Sequence, residues 1–571
     1  MIKKTKRIYR LADISIEEII IPRHLSLCNG SHANKNTSIL KEKYTHLIHS
    51  LIRRIIANDE GVAYMNAEIM KSLYGNDYSV MIRTLCDELH CFSRNFYEVG
   101  KHSYEFSFMD PRIKYETTYE YPYYLDKYEN RLDNILAKRQ EENEIKAIQS
   151  MGTQFWNDYM QSLGMLRMTY KELAEQFIFF HHFPTQEQYD HYLQIIEEYT
   201  NLKKPHIKTD QNDRIYHILT RTPRLLKPFL NIKFACDIHN SHPLLFVSKI
   251  YDYHAISITL RQRINAILDD ISISKDNNSF IVSIPTTILD VPFNLTYTVN
   301  SSNPSHVPQY IYEFVYNRLE NNNLDLTNNV NGFKSISYDE LFYILLVSKG
   351  VFWDFIIPSQ ICNESGLTRS DVKVLLFQEL FYSNIKGLVG KKYAGLFLAL
   401  FPNVFALLEQ LKFGTNHDDQ KPSAWLSGEM MKLESSLFRE ILKQLYRKRY
   451  RAINIHDAIV VLNVKGNGKC TENEVCGIIR QVYWEHGLLA NVGVDYYGKN
   501  HAMECVEQEK MNGDRIEQYI IEQKEKAANG NQNSSNFIKQ YEKGKLELIP
   551  GQDKSSLMPH PTKRKPRKRR A

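Results

Sequence analysis

No run of this 571-residue chain approaches the ~18–20 consecutive apolar residues that a bilayer-spanning helix needs; Ala394 to Phe401 is among the longest. No membrane partner is therefore expected. The first residues are basic (Lys3, Lys4, Lys6, Arg7), but no apolar stretch of the signal-peptide kind follows, so secretion is not expected either. The eight cysteines include no Cys-x-x-Cys pair. Cys470 and Cys476 come nearest to a metal-binding spacing, without clustered histidines beside them. Reduced thiols in a cytoplasmic protein are the plain reading. No internal repeat is visible. The length is too great for one core, and three or four subdomains are expected.

What the chain does hold is ample apolar and aromatic material, 43% and 12% of residues, and a lopsided charge. The formal net charge is +6, yet Lys563, Arg564, Lys565, Arg567, Lys568, Arg569 and Arg570 supply +7 within the last nine residues. Taking +7 from +6 leaves a body of about −1. Such a basic arm suits a polyanion, nucleic acid first; a solvated end without a specific partner is the alternative.

Along the chain, residues 1–119 form an N-terminal region. Within it, 65–110 carry Tyr78, Ile82, Leu85 and Leu89 at helical spacing after a Gly75-Asn76-Asp77 turn, then Tyr104, Phe106 and Phe108 in strand alternation. Helix, turn, helix and hairpin outline a winged-helix unit, with an ordinary α+β subdomain as the alternative. Residues 120–205 read as helical; 206–334 open with a β-like run over 206–245, hold a strand-rich stretch at 270–300 and return to helix at about 308–320; and 335–415 read as helices. In 416–515 a long helix, 426–448, leads to a hairpin, a helix at 472–487 and a strand at 491–497. Residues 516–571 end the chain, and from 526 they read as a disordered low-complexity linker and the basic tail.

Three short pieces stand out. Ile232 to Cys236 is strand-like and runs into Asp237, followed by Asn240-Ser241-His242-Pro243, where Pro243 stops strand pairing. A carboxylate ending a buried strand is costly unless a cation or donor meets it; an aspartate opening the next helix is the competing reading. Ile453, Ile455, Asp457, Ile459 and Val461 would share one strand face, so Asp457 is anomalous there unless a tight turn at His456-Asp457 lifts both residues to a hairpin tip. Between the two lies Arg369-x3-Lys373-x3-Phe377-x3-Phe381. At ~400° per step these four drift only ~40° each around a helix, which gives a basic then aromatic stripe. Phosphate held by the cations and a base against a ring is one use for it; an amphipathic helix with two core phenylalanines is the other.

In this order the pieces resemble the three motifs of family A DNA polymerases, the class of bacterial DNA polymerase I and of the phage-type single-subunit RNA polymerases. The resemblance covers roughly 120–500. It implies an α+β right-hand architecture, an antiparallel palm sheet with helical thumb (120–205) and fingers (335–415). It implies Asp237 and Asp457 as ligands of two Mg²⁺ ions, with Mn²⁺ as a substitute, in a two-metal nucleotidyl transfer. Arg369, Lys373, Phe377, Phe381 and His242 would meet a nucleoside triphosphate. Arg214, Arg221, Arg224 and His456, with the basic tail, would meet a template–primer.

The chain also departs from that pattern. The interval from Asp237 to Lys373 is long, and 270–300 reads as an insertion. Ser427-Gly428-Glu429 and Glu434 replace the usual Gln-Gly element. His242 stands where a glutamate screens the ribose 2′-hydroxyl in DNA polymerases of the family. Phe381 and Tyr382 stand where tyrosine and glycine are usual. No convincing proofreading or 5′-nuclease domain is found, and the first 120 residues are too short for both. The Asp-x-x-Asn-Ser-His-Pro form resembles divergent polymerases of phages, plasmids and integrative elements, which implies replication of a mobile element in the cytoplasm of a bacterial host. An RNA polymerase or primase on the same fold, or a non-catalytic nucleic-acid-binding replication protein, are the alternatives. The tail is tested by deleting residues 558–571. The salt dependence of nucleic-acid binding should flatten through lost counterion release, while single-nucleotide chemistry at saturating template stays intact.

Overall fold

The computed structural model describes residues 8–28, 36–57, 61–97, 103–110, 113–118, 122–183, 186–200, 207–210, 212–276, 279–288, 291–299, 306–321, 333–357, 361–362, 368–414, 422–542, 546–550 and 557–561. Among them the chain is mixed α+β with several small antiparallel sheets. No helix among them is long and apolar enough to cross a membrane. The basic tail from Lys563 to Arg570 lies outside the described residues.

Among the described residues, buried side chains gather into two cores. The first runs from Tyr9 to Tyr128, with Leu132 and Ile135 packed against it. It contains strand β1 (Ile8–Leu11), helix α1 (Thr37–Ala57), β2 (Ala63–Asn66), α2 (Ala67–Tyr74), α3 (Tyr78–Arg83), β3 (Phe92–Tyr97), β4 (Ser103–Phe108) and β5 (Tyr115–Thr118). β2, β4 and β3 make an antiparallel sheet in that order, so the helix, turn, helix, hairpin order expected for 65–110 is present with one strand in front. Gly75 forms the turn at φ 73, a conformation that needs no Cβ. Asp77 does not cap α3; it accepts from Lys43 Nζ at 2.9 Å. The expected boundary at 119/120 also shifts. Helix α4 (Tyr124–Met151) begins on this core at Tyr128 and ends in the second at Ala147 and Met151.

The second core spans Ala147 to Val506. It joins α5 (Thr153–Leu163), α6 (Lys171–Phe180) and α7 (Gln186–Thr200) to a four-stranded sheet. That sheet is built from β6 (Ile232–Ile238), β10 (Ala452–Ile455), β11 (Ala458–Leu462) and β12 (Val492–Tyr496), in the order β10-β11-β6-β12, all antiparallel. Between β6 and β10 come α8 (Ser241–Tyr253) and α9 (Ile258–Asp269), then β7 (Ser272–Asp276), β8 (Ser279–Ile288) and β9 (Val291–Val299), a separate three-stranded sheet where the strand-rich insertion is expected. Helices α10 (Val307–Asn321), α11 (Tyr338–Ser348), α12 (Phe352–Ile356), α13 (Arg369–Leu380), α14 (Ala394–Leu400), α15 (Pro402–Phe413) and α16 (Pro422–Arg447) follow. After the hairpin come α17 (Glu472–Glu485) and, beyond β12, α18 (Lys499–Ala528).

The disordered linker expected from residue 526 is corrected by the structure. Helix α18 continues to Ala528, and α19 (Gln532–Glu542) folds back on it. Ser534 donates to Gln523 Oε1 at 2.8 Å, and the Tyr519 and Phe537 rings meet edge to face at 5.6 Å. Polar composition misleads here because the asparagine-rich stretch spans the turn and first turns of a helix whose apolar contacts lie further on.

One buried histidine sets a pH response. The Tyr9 amide donates to His49 Nδ1 at 3.1 Å, so that ring must be neutral to hold β1 on α1. Burial, then Arg53, pushes the His49 pKa down to about 4. The unfolded chain takes the proton near ~6.5, so stability present above that pH is lost as pH falls towards 4, by roughly 3 kcal/mol. Hydrogen exchange of the α1 amides, corrected for intrinsic rates, should show that loss between pH 6.5 and 4. The His49→Asn variant, which keeps an acceptor and takes no proton, should not.

Candidate active site

Strand pairing brings the two singled-out aspartates together. Asp237 lies opposite Ala458 on one side and Gly493 on the other. Asp457 immediately precedes Ala458, and its carbonyl accepts from the Ile238 amide at 3.2 Å. The hairpin turn is His456-Asp457, as the tight-turn reading requires, with His456 at φ 50. That left-handed conformation favours glycine, so a histidine held there is paid for by the surrounding structure. Gly493 lets the His239 ring lie close: a Cβ there would stand 2.5 Å from His239 Nε2 and the ring would have to shift.

Both carboxylates are held above their ordinary range. Burial, then the Asp457 and Asp495 carboxylates, raises the Asp237 pKa to about 7, against the pull of Lys373 and Arg224. Asp457 is raised by burial and then by Glu434. Like charges in a half-buried place each disfavour the other's ionisation.

Both aspartates line a cleft of ≈740 Å³ whose opposite wall is α13. Arg369, Lys373 and Phe377 all face it, so the helical stripe is real for three of its four members. Thr368 caps the helix reciprocally with Asp371, which leaves Arg369 at its first position. Arg369 pairs with Asp354 at 2.9 Å, and Lys373 Nζ stands 5.4 Å from the Trp353 ring centroid. Burial, then Arg369, lowers the Lys373 pKa. His242 meets Phe377 edge to face at 5.2 Å, and its buried Nε2 has no hydrogen-bond partner among the described residues. Burial, then Arg214, pushes the His242 pKa down to about 4.

Phe381 is corrected. It is 1% exposed, packs on Phe246 at 5.8 Å and does not line the cleft. Tyr382, the next residue, does. α13 ends at Leu380, so the ~100° step from 381 to 382 decides which ring faces the core.

Under the hairpin, Glu434 of α16 is 2% exposed; it accepts from Ser241 Oγ at 3.1 Å and is paired with Arg214. Arg214, read from the sequence as a nucleic-acid contact, is therefore held by a buried carboxylate. Arg221 is held by Glu198 at 3.0 Å on the surface. Arg224 is exposed, with its charge felt at Asp237, and His456 is exposed at the hairpin tip. Trp353, Asp354 and His239 line the cleft and were not singled out by sequence reasoning; an acid inside Phe352-Trp353-Asp354-Phe355-Ile356 is the signal that marks the first two.

Comparison with protein-family models, with curated proteins and with solved structures finds no match for this chain.

The Phe381–Tyr382 assignment has a direct check by chemical denaturation. Phe381→Ala should cost about 3–5 kcal/mol as a core truncation, whereas Tyr382→Phe should stay within about 0.5 kcal/mol of the parent.

Proposed function

We propose that this chain is a template-directed nucleotidyltransferase of the DNA polymerase kind, with the sheet that bears Asp237 and Asp457 as palm and the helices of 335–415 as fingers. One observation carries the reading: two aspartates at adjoining strand ends face Arg369 and Lys373 across a single cleft. A binding protein without chemistry has no use for two aspartates lining one cleft, the first with its pKa raised by burial and then by the second.

The donor set fits divalent cations. Among the described residues no group of three or more His, Cys, Asp or Glu side chains is arranged to hold a metal. In this reading Asp237 and Asp457 would be the chain's two hard oxygen donors to Mg²⁺, an ion that keeps waters and takes phosphate oxygens as its other ligands. Bound there, two such ions would supply charge compensation for the attacking and leaving oxygens. The chain's own residues do the rest. Lys373 and Arg369 draw the triphosphate to the α13 wall. Phe377 and Tyr382 offer rings to the base or sugar. His242, neutral at physiological pH, stands beside them without the negative charge of a glutamate. The partners in this reading are a template–primer and nucleoside triphosphates, in replication of a mobile element in bacterial cytoplasm.

Primer extension with each nucleotide set, on primed and unprimed templates, with and without Mg²⁺, tests the reading. Asp237→Asn and Asp457→Asn should each reduce incorporation by at least ~100-fold with template affinity kept. Lys373→Ala should slow nucleotide addition far more than it weakens template binding. Incorporation that survives either aspartate change would end the proposal. Extension of unprimed templates with ribonucleotides would move it to an RNA polymerase or primase on the same fold.

A further inference from the structure

A second groove, of ≈730 Å³, shares no residue with the cleft. Its cations are Lys443, Arg447, Arg449 and Arg451, at the end of α16 and the start of β10. The body of the chain is close to neutral without its tail, so four cations in one groove depart from the rest of the molecule. The one acid in the groove, Asp158, is already engaged by Gln154 Nε2 at 2.8 Å and by Arg451 at 3.9 Å. Lys443, Arg447 and Arg449 are exposed and enter no ion pair among the described residues.

Two backbone features point the same way. Arg449 closes α16 at φ 63, with the Tyr450 amide donating to the Leu445 carbonyl at 3.0 Å. This is the left-handed closing position that, where a helix has one, is usually filled by glycine. A guanidinium is kept there against the backbone's preference. Across the groove, the chain turns at Gly152, φ 85, into the 11-residue helix α5, which has no side-chain cap and no acid in its first turn. Gly152, Thr153 and Gln154 line the groove, so the positive end of that helix faces the same space as the cations.

The spacing selects the ligand. Lys443 and Arg447 are one helical turn apart, ~6 Å along α16, and Arg449 and Arg451 extend the row towards β10. A row of cations fits a chain of phosphates better than a single small anion. The groove also lies in line with the proposed catalytic cleft. Arg451 directly precedes β10, whose four residues rise ~13 Å to the His456-Asp457 tip. A narrower cavity lined by Arg439, Asn454 and His456 occupies the interval.

We propose that this groove is a second nucleic-acid site, which holds the phosphate backbone of a strand through Lys443, Arg447 and Arg449 without reading its bases. The identity of the polyanion rests on the nucleotidyltransferase reading; the site itself does not depend on catalysis.

The test is anisotropy binding of the full chain to a 30-nucleotide single strand and a 30-base-pair duplex between 50 and 200 mM salt. The triple variant Lys443→Ala, Arg447→Ala, Arg449→Gly should bind at least one of them about ten-fold more weakly or worse at 100 mM, with the slope of log K against log salt reduced by about 2–3. The form that loses most identifies the strand type. Arg449→Gly alone relaxes the turn, so it folds, and should reduce the slope by about 1. Unchanged affinity and slope for both nucleic acids in the folded variants would overturn the proposal. So would an equal loss of binding to poly-glutamate, which would make the groove a general polyanion surface. Asp237→Asn serves as the separating control. If the parent chain extends no primer yet the groove variants lose nucleic-acid binding, this site stands and the catalytic reading falls. If Asp237→Asn abolishes extension while the groove variants bind as the parent does, the catalytic reading stands and this site falls.

Discussion

Two carboxylates forced together by a backbone ladder are the constraint on which the rest of this molecule depends. Asp237 is paired with Ala458, and Ala458 follows Asp457, so the backbones of the two aspartates cannot separate without breaking the pairing of β6 with β11. Their mutual repulsion is held in place by the sheet and by the core behind it. The surrounding cations offset it only in part. Lys373 and Arg224 pull Asp237 back towards its ordinary range, while Asp495 and Glu434 add further negative charge, the latter engaged by Arg214 and Ser241. A site left short of positive charge attracts cations, and this shortage links the sheet's geometry to the chemistry proposed for it.

The two positive walls of the molecule differ in construction. Across the cleft, Arg369 and Lys373 are tied to Asp354 and Trp353 and so are pre-positioned. In the distal groove, Lys443, Arg447 and Arg449 stand exposed at the end of a helix. The first arrangement suits a small ligand that must be oriented; the second suits a long, flexible polyanion whose register does not matter.

The N-terminal unit has its own core, linked to the second by α4, which is anchored at one end in each. A helix shared in this way makes the junction between the units continuous secondary structure, where a change of composition suggested a boundary at residue 119.

Much of this was legible in the chain itself. The Asp237 strand, the His456-Asp457 turn, the stripe on α13, the helices on either side of the hairpin and the hairpin of residues 92–108 all follow from local periodicity and turn chemistry, because each is settled by neighbours a few residues away. What tertiary structure alone decided are the matters of partnership. Arg214 reads as a free cation until α16 brings Glu434 to it, 220 residues on. Phe381 and Tyr382 are adjacent aromatics until packing against Phe246 buries the first and leaves the second to the cleft. The asparagine-rich segment reads as disordered until α19 finds α18 to lie on. The basic groove is invisible in sequence because α5 and the end of α16 meet only in the fold. Sequence determines what each segment can form; long-range contact determines which charge is neutralised, which ring is buried and which cation remains available.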